Sequence, residues 1–218
     1  MRRVIKTISS ILLLDLLSTL LSFAQQMPQI LPTADGVTGN LKRHERFTSK
    51  YVDPRNVDVW LPPSYEENKS KRFPVIYMHD GQNLFDPKLS FIGVDWGIDE
   101  TMTRLIRERK VREAIVVGVW NTPKRVLEYL PQKALVNSTT LKDIPALRLN
   151  QIVSDNYLKF LVTELKPFID STYRTRADRK DTFIMGSSAG ALISIYAITE
   201  YPNVLEELAA FRRTVRYL

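Results

Sequence analysis

The chain contains no cysteine and only two histidines in 218 residues. Without cysteine there can be no disulfide, no thiolate metal site and no thiol for a lipid anchor. His44 and His79 stand far apart and do not form a zinc-ligand spacing, so no metal and no cofactor is expected. No histidine follows Gly190 in the 28 residues that remain. Basic residues outnumber acidic ones, 31 to 24, for a formal charge of +7. They are scattered, however, and no basic stripe with interleaved aromatics appears, which argues against a nucleic-acid partner. Internal repeats and low-complexity tracts are absent. The longest apolar run, Ile11 to Phe23, is short for a membrane span and is interrupted by Asp15.

What is present is the composition of an ordinary globular domain, 44% hydrophobic and 25% charged, enough to build one core. The N-terminus has the form of an export signal. Arg2, Arg3 and Lys6 make a basic start, the leucine-rich run follows, and Ser22-Phe23-Ala24 offers a small-x-small cleavage site before Gln25. The expected organisation is therefore a signal peptide over 1–24, a flexible lead-in over 25–40, one domain over 41–203 and a divergent tail over 204–218. A secreted or periplasmic location follows, with a membrane contact only if the signal segment is retained.

Periodicity supplies the elements. Leu41 to Val52 and Val57 to Leu61, separated by the turn Asp53-Pro54-Arg55-Asn56, predict an antiparallel hairpin at a sheet edge, the second strand half-buried. His44 would lie on its surface. Val75-Ile76-Tyr77-Met78, Ala114 to Trp120 and Thr182-Phe183-Ile184-Met185 are continuously apolar, as in strands covered on both faces. Between them, Ile98, Met102, Leu105 and Ile106 mark one helix face, and Leu158, Leu161, Val162, Leu165, Phe168 and Ile169 mark another, with Pro167 near its end. Residues 121–153 read as irregular. Strands separated by helices of this length imply an α/β fold with a mostly parallel sheet, an antiparallel N-terminal hairpin and flanking helices. Asp80, Asp86, Asp95 and Asp99 suit turns and caps.

Gly186-Ser187-Ser188-Ala189-Gly190 sits between the third buried strand and a long apolar helix. A G-x-S-x-G run in that setting is a nucleophile elbow, a sharp turn that presents a serine at the end of a strand. Two further segments accompany it: Tyr77-Met78-His79-Asp80-Gly81-Gln82-Asn83-Leu84-Phe85-Asp86, and Gly118-Val119-Trp120-Asn121 with Arg125-Val126-Leu127-Glu128-Tyr129. Together, over about residues 41–203, the three resemble the esterase D-like branch of the α/β-hydrolases. That branch includes S-formylglutathione hydrolases, siderophore esterases and feruloyl-xylan esterases.

The resemblance implies the N-terminal portion of an α/β-hydrolase fold and a serine carboxylesterase working by acyl transfer. Ser188 would be the nucleophile. Ala189 would give one oxyanion N–H, and Gly81 or Gln82 the other. Gly186 and Gly190 would leave the elbow no room for Cβ atoms. Asn121, Arg125, Glu128 and Tyr129 would either pack or line the cleft. His79 is a weak candidate for the base. The family continues past this region with further strands carrying an acid and a histidine, whereas Val204 to Leu218 reads as a helix-leaning tail, as an early stop or frameshift near residue 204 would leave. The expected substrate is a small-molecule or carbohydrate ester, and the expected activity is impaired. The rival readings are a catalytically dead binding or remnant protein, and an esterase whose base comes from His79 or from a partner chain. The third buried strand would be left with an open edge, a route to self-association.

Overall fold

In the computed structural model the described residues are 29–30, 37–136 and 151–206. The expected signal segment, most of the lead-in and residues 207–218 of the tail lie outside them. Among the described residues no helix is long and apolar enough to cross a membrane.

Six strands form one sheet in the order β1-β2-β3-β5-β4-β6. They are β1 (Gln29–Ile30), β2 (Asn40–Phe47), β3 (Arg55–Leu61), β4 (Val75–His79), β5 (Ile115–Val119) and β6 (Thr182–Met185). β1, β2, β3 and β5 pair antiparallel in turn, while β4 runs parallel to both β5 and β6. The chain thus leaves β4 for one neighbour and returns past it to the other. Such a reversal opens a crevice at the carboxyl ends of the strands, where open α/β sheets bind ligands.

Alternation along each strand divides the core into two layers. Val57, Val59, Val75, Tyr77, Ile115, Val117 and Ile184 face one side. They pack against a long helix and a terminal one. The long helix runs through α5 (Ser154–Phe160), a π-turn over Leu161–Leu165 and α6 (Lys166–Thr172), and the terminal one is α7 (Ala189–Glu200). Pro167 has no N–H to give its turn, and the widened π-turn just before it takes up the mismatch. On the other side Trp60, Met78 and Val116 pack with Phe85 and with Ile98, Met102 and Ile106 of α2 (Ile98–Arg107). The acidic start and basic end of α2 match the helix dipole.

Several expectations change. β2 stops at Phe47 rather than Val52, after a bulge between His44 and Phe47. His44 is not on the surface. It is 1% exposed, its Nε2 is 2.8 Å from the Tyr173 hydroxyl, and Phe168 stands edge-on to its ring. β3 is buried almost throughout rather than half-buried. Its polar residue Asp58 is enclosed because Arg43 grips it with two hydrogen bonds of 2.7 and 2.8 Å, and the Trp120 indole donates a third at 2.8 Å. A short helix, α1 (Ser64–Glu67), follows β3. The stretch after β5 holds two more, α3 (Arg125–Tyr129) and α4 (Gln132–Val136). Among the described residues β6 pairs with β4 alone, and the Glu206 N–H donates to Thr182 O at 2.9 Å.

Candidate active site

Three loops leave the carboxyl ends of β5, β4 and β6, side by side. The register sets their neighbours: Met78 is opposite Met185, and His79 is opposite Val119. One step further along, the turn after β4 comes between the Trp120-Asn121 loop and the Gly186–Gly190 elbow.

Ser188 has φ +56° and ψ −121°. A non-glycine residue adopts such a backbone only where its surroundings enforce it, and such strain clusters at functional sites. Here the strand must turn into α7 within a few residues, and Gly190 N and Ala191 N bond back to Ser187 O and Ser188 O at 2.9 Å each. The turn needs Gly186, since a Cβ there would lie 2.8 Å from the Gly190 carbonyl carbon. Gly190 is less constrained than the sequence suggested. A Cβ on it would sit 3.4 Å from His79 Cβ, an ordinary contact. Ser188 is exposed. The next N–H, of Ala189, opens α7, where helix N–H groups lack an intrahelical partner.

The turn after β4 is a 3₁₀ turn over Gly81–Asn83, entered through Asp80 at φ +60°. It lies directly on β5. A Cβ on Gly81 would meet Gly118 C at 2.5 Å, and one on Gly118 would meet Leu84 Cδ1 at 2.9 Å. Two glycines thus let this turn sink against the sheet, with the N–H groups of Gly81 and Gln82 at its start. A shallow recess beside it is lined by Val37, Leu41, Phe85 and Leu89, with Arg43 and Asp86 at its polar side.

Asp80 is the anchor of this turn. Arg125 donates to both its oxygens at 2.7 and 2.8 Å, and Asn121 Nδ2 donates at 2.6 Å. The Asp80 N–H donates to the Tyr129 hydroxyl at 3.3 Å. The Asn121 N–H reaches Gln82 Oε1 at 3.2 Å. The four residues read as packing or cleft therefore divide. Asn121 and Arg125 stand at the edge of the site and hold Asp80. Glu128 and Tyr129 are 1% and 0% exposed and line no cleft. Glu128 instead pairs with Arg55 from within the core.

His79 is 1% exposed, and its Nδ1 lies 2.8 Å from the Tyr157 hydroxyl. Its Nε2 has no hydrogen-bond partner among the described residues, so no bond joins it to Ser188. Burial lowers its pKa to about 4, Asp80 opposing and Arg125 assisting, and the ring is neutral at physiological pH. No hydrogen-bonded base therefore stands beside Ser188 among the described residues. The Arg125–Asp80 clamp escaped the sequence reading, although a signal was present. Polar residues just past one parallel strand must emerge beside the turn of its neighbour.

A family model described as "Putative esterase" matches residues 49–212. The chain belongs to this esterase family. It is similar to the uncharacterized protein YbbA of Bacillus subtilis, with 23% identity across 82% of this chain and 62% of that one. It also resembles YjcH of the same organism, 23% identical over 76% and 58% of the two chains. Among solved structures, the BES protein of Bacillus cereus superposes with TM-score 0.56 at 19% identity, covering 81% of this chain and 62% of that one. An IroE-like serine hydrolase of Shewanella oneidensis gives 0.54 at 23%, covering 76% and 47%. The structural likenesses show that the chain has the α/β-hydrolase fold. The chain spans about three fifths of the curated relatives it matches, 62% and 58%.

Proposed function

We propose that the chain is a serine carboxylester hydrolase of the acyl-transfer type, with Ser188 as nucleophile. The observation that carries this reading is the Ser188 backbone at φ +56°, ψ −121°, beside the Gly81–Asn83 turn. Attack of the hydroxyl on an ester carbonyl produces a tetrahedral oxyanion. The Ala189 N–H and the Gly81 or Gln82 N–H would bind it from two adjacent loops, and losing one fixed donor typically costs roughly 10²–10³ in rate. Arg125 and Asn121 would act through Asp80 to hold the second donor. The domain proper runs over 41–203 in this reading.

A polypeptide of residues 1–218 would carry out this chemistry poorly, since its two histidines are both buried and engaged. A fluorophosphonate probe tests the nucleophile, because it bonds to the serine oxygen that attacks it and so marks which serine is most reactive. Slow labelling confined to Ser188 is expected, and Ser188→Ala should abolish it. Labelling that survives in that variant would remove Ser188 from the proposal.

Export and an ester-bearing carbohydrate substrate belong to the same proposal. Both rest on the basic start, the apolar run and Ser22-Phe23-Ala24. N-terminal sequencing of protein recovered outside the cytoplasm should begin at Gln25. A form that retains Arg2 and Arg3 there would contradict cleavage.

A further inference from the structure

Outside the serine site, three carboxylates converge where the chain enters α2. One oxygen each from Asp95, Asp99 and Glu100 lies within 4.8 Å of the others. Gly97, at φ +57°, turns the chain so that the three meet, and Glu100 Oε2 lies 3.4 Å from where its Cβ would be. Like charges at this spacing repel unless something neutralises them. Among the described residues no lysine or arginine forms an ion pair with any of the three.

A second observation is the state of Asp99. It is 0% exposed, yet its Oδ1 meets no hydrogen-bond donor among the described residues, while its Oδ2 accepts the Thr38 N–H at 2.6 Å. Asp95 Oδ2 and Thr103 Oγ1, the latter one helical turn along from Asp99, are also buried without a partner. A buried carboxylate without a counter-charge is costly and is ordinarily paired or bound to a metal.

We propose that Asp95, Asp99 and Glu100 form a site for a hard divalent cation, best suited to calcium. All the donors are oxygens, which excludes a preference for the softer metals that histidine and cysteine select. Three protein carboxylates in one cluster suit calcium, which takes six to eight oxygen ligands in a flexible geometry, better than magnesium, which keeps several waters and uses one or two carboxylates. A bound ion would fasten Thr38, the loop after β4 and α2 to one another. That loop is already tied to the oxyanion turn, with Trp96 N donating to Asn83 O at 2.8 Å and Ile98 N to Leu84 O at 3.1 Å. Three carboxylates on a partly open site suit the weak class of calcium sites, with Kd on the order of 10⁻⁴–10⁻³ M.

Terbium luminescence tests the site in the whole chain, because Trp96 adjoins Asp95 and can sensitise a bound lanthanide. Titration of terbium into the protein should give saturable emission that calcium displaces more effectively than magnesium. Asp99→Asn and Glu100→Gln should each weaken binding at least tenfold, and calcium should raise the thermal midpoint of the parent alone. The Glu100 side chain is exposed, so its variant keeps the test open if Asp99→Asn does not fold. Emission unchanged in Glu100→Gln would overturn the proposal. So would a parent that calcium leaves unchanged but mild acid stabilises, since a shared proton would then fill the place assigned to the ion. Ester hydrolysis is not a readout, so this result and that for Ser188 stand apart.

Discussion

A purified polypeptide of residues 1–218 should hydrolyse an aryl acetate at least ~10³-fold more slowly than a relative that carries the acid and the histidine. The difference corresponds to about 4 kcal/mol of transition-state stabilisation. A serine hydroxyl must lose its proton as it attacks, and a base does this only within hydrogen-bond reach. His44 is buried against Tyr173, and His79 Nδ1 is engaged with Tyr157 on the core side of the sheet. What remains is the oxyanion hole and binding, which leave roughly 10³–10⁴ over water once triad members are gone. Ser188 is exposed, so a small base from solution can reach it. Added imidazole should therefore raise the rate, in proportion to its concentration, above imidazole's own hydrolysis of the ester, and Ser188→Ala should remove that excess. Brisk turnover without imidazole would discard the impaired reading. If His79→Ala then abolished it, the base would be His79 and the turn around it would have to rearrange on binding.

Much of this architecture is written locally in the chain. β4, β5 and β6 are continuous apolar runs, and α2 has a single apolar face with charges ordered along the dipole. The elbow is legible because a glycine-flanked serine between strand and helix admits few backbones. What escaped is whatever depends on a partner far away in sequence. His44 and Arg43 look like surface residues in Leu41-Lys42-Arg43-His44-Glu45-Arg46-Phe47. They are buried because Tyr173 and Asp58, from just past the end of α6 and from the next strand, satisfy them. Asp80 likewise reads as a generic turn residue, and only the adjacency of β4 and β5 reveals that Arg125 and Asn121 close on it. The short helix α3 was hidden for the same reason. Its five residues carry no periodic signal, and tertiary contacts hold it in place.

Those contacts support the largest stability effect expected in the molecule. Arg55 and Glu128 meet through two hydrogen bonds, 2.9 and 2.6 Å, with side chains only 1% exposed each. The guanidinium also lies 5.2 Å from the centre of the Tyr157 ring and 5.4 Å from that of Phe160. Removing one partner of such a pair strands the other charge in the core, at a cost of about 3–5 kcal/mol. Glu128→Gln should therefore lower the stability measured by urea unfolding by that amount. Replacing both residues together, as Arg55→Met with Glu128→Leu, should restore most of it, because no charge is then left unpaired. The effect extends to the site. Arg125 is on the same short helix, three residues before Glu128, and it holds Asp80 at the entrance to the Gly81–Asn83 turn. In Glu128→Gln the slow fluorophosphonate labelling of Ser188 should fall along with stability, and in the double variant it should return. A loss below about 1 kcal/mol in Glu128→Gln would mean that water reaches Arg55, and that α3 is held by Tyr129 and Asp80 rather than by the pair.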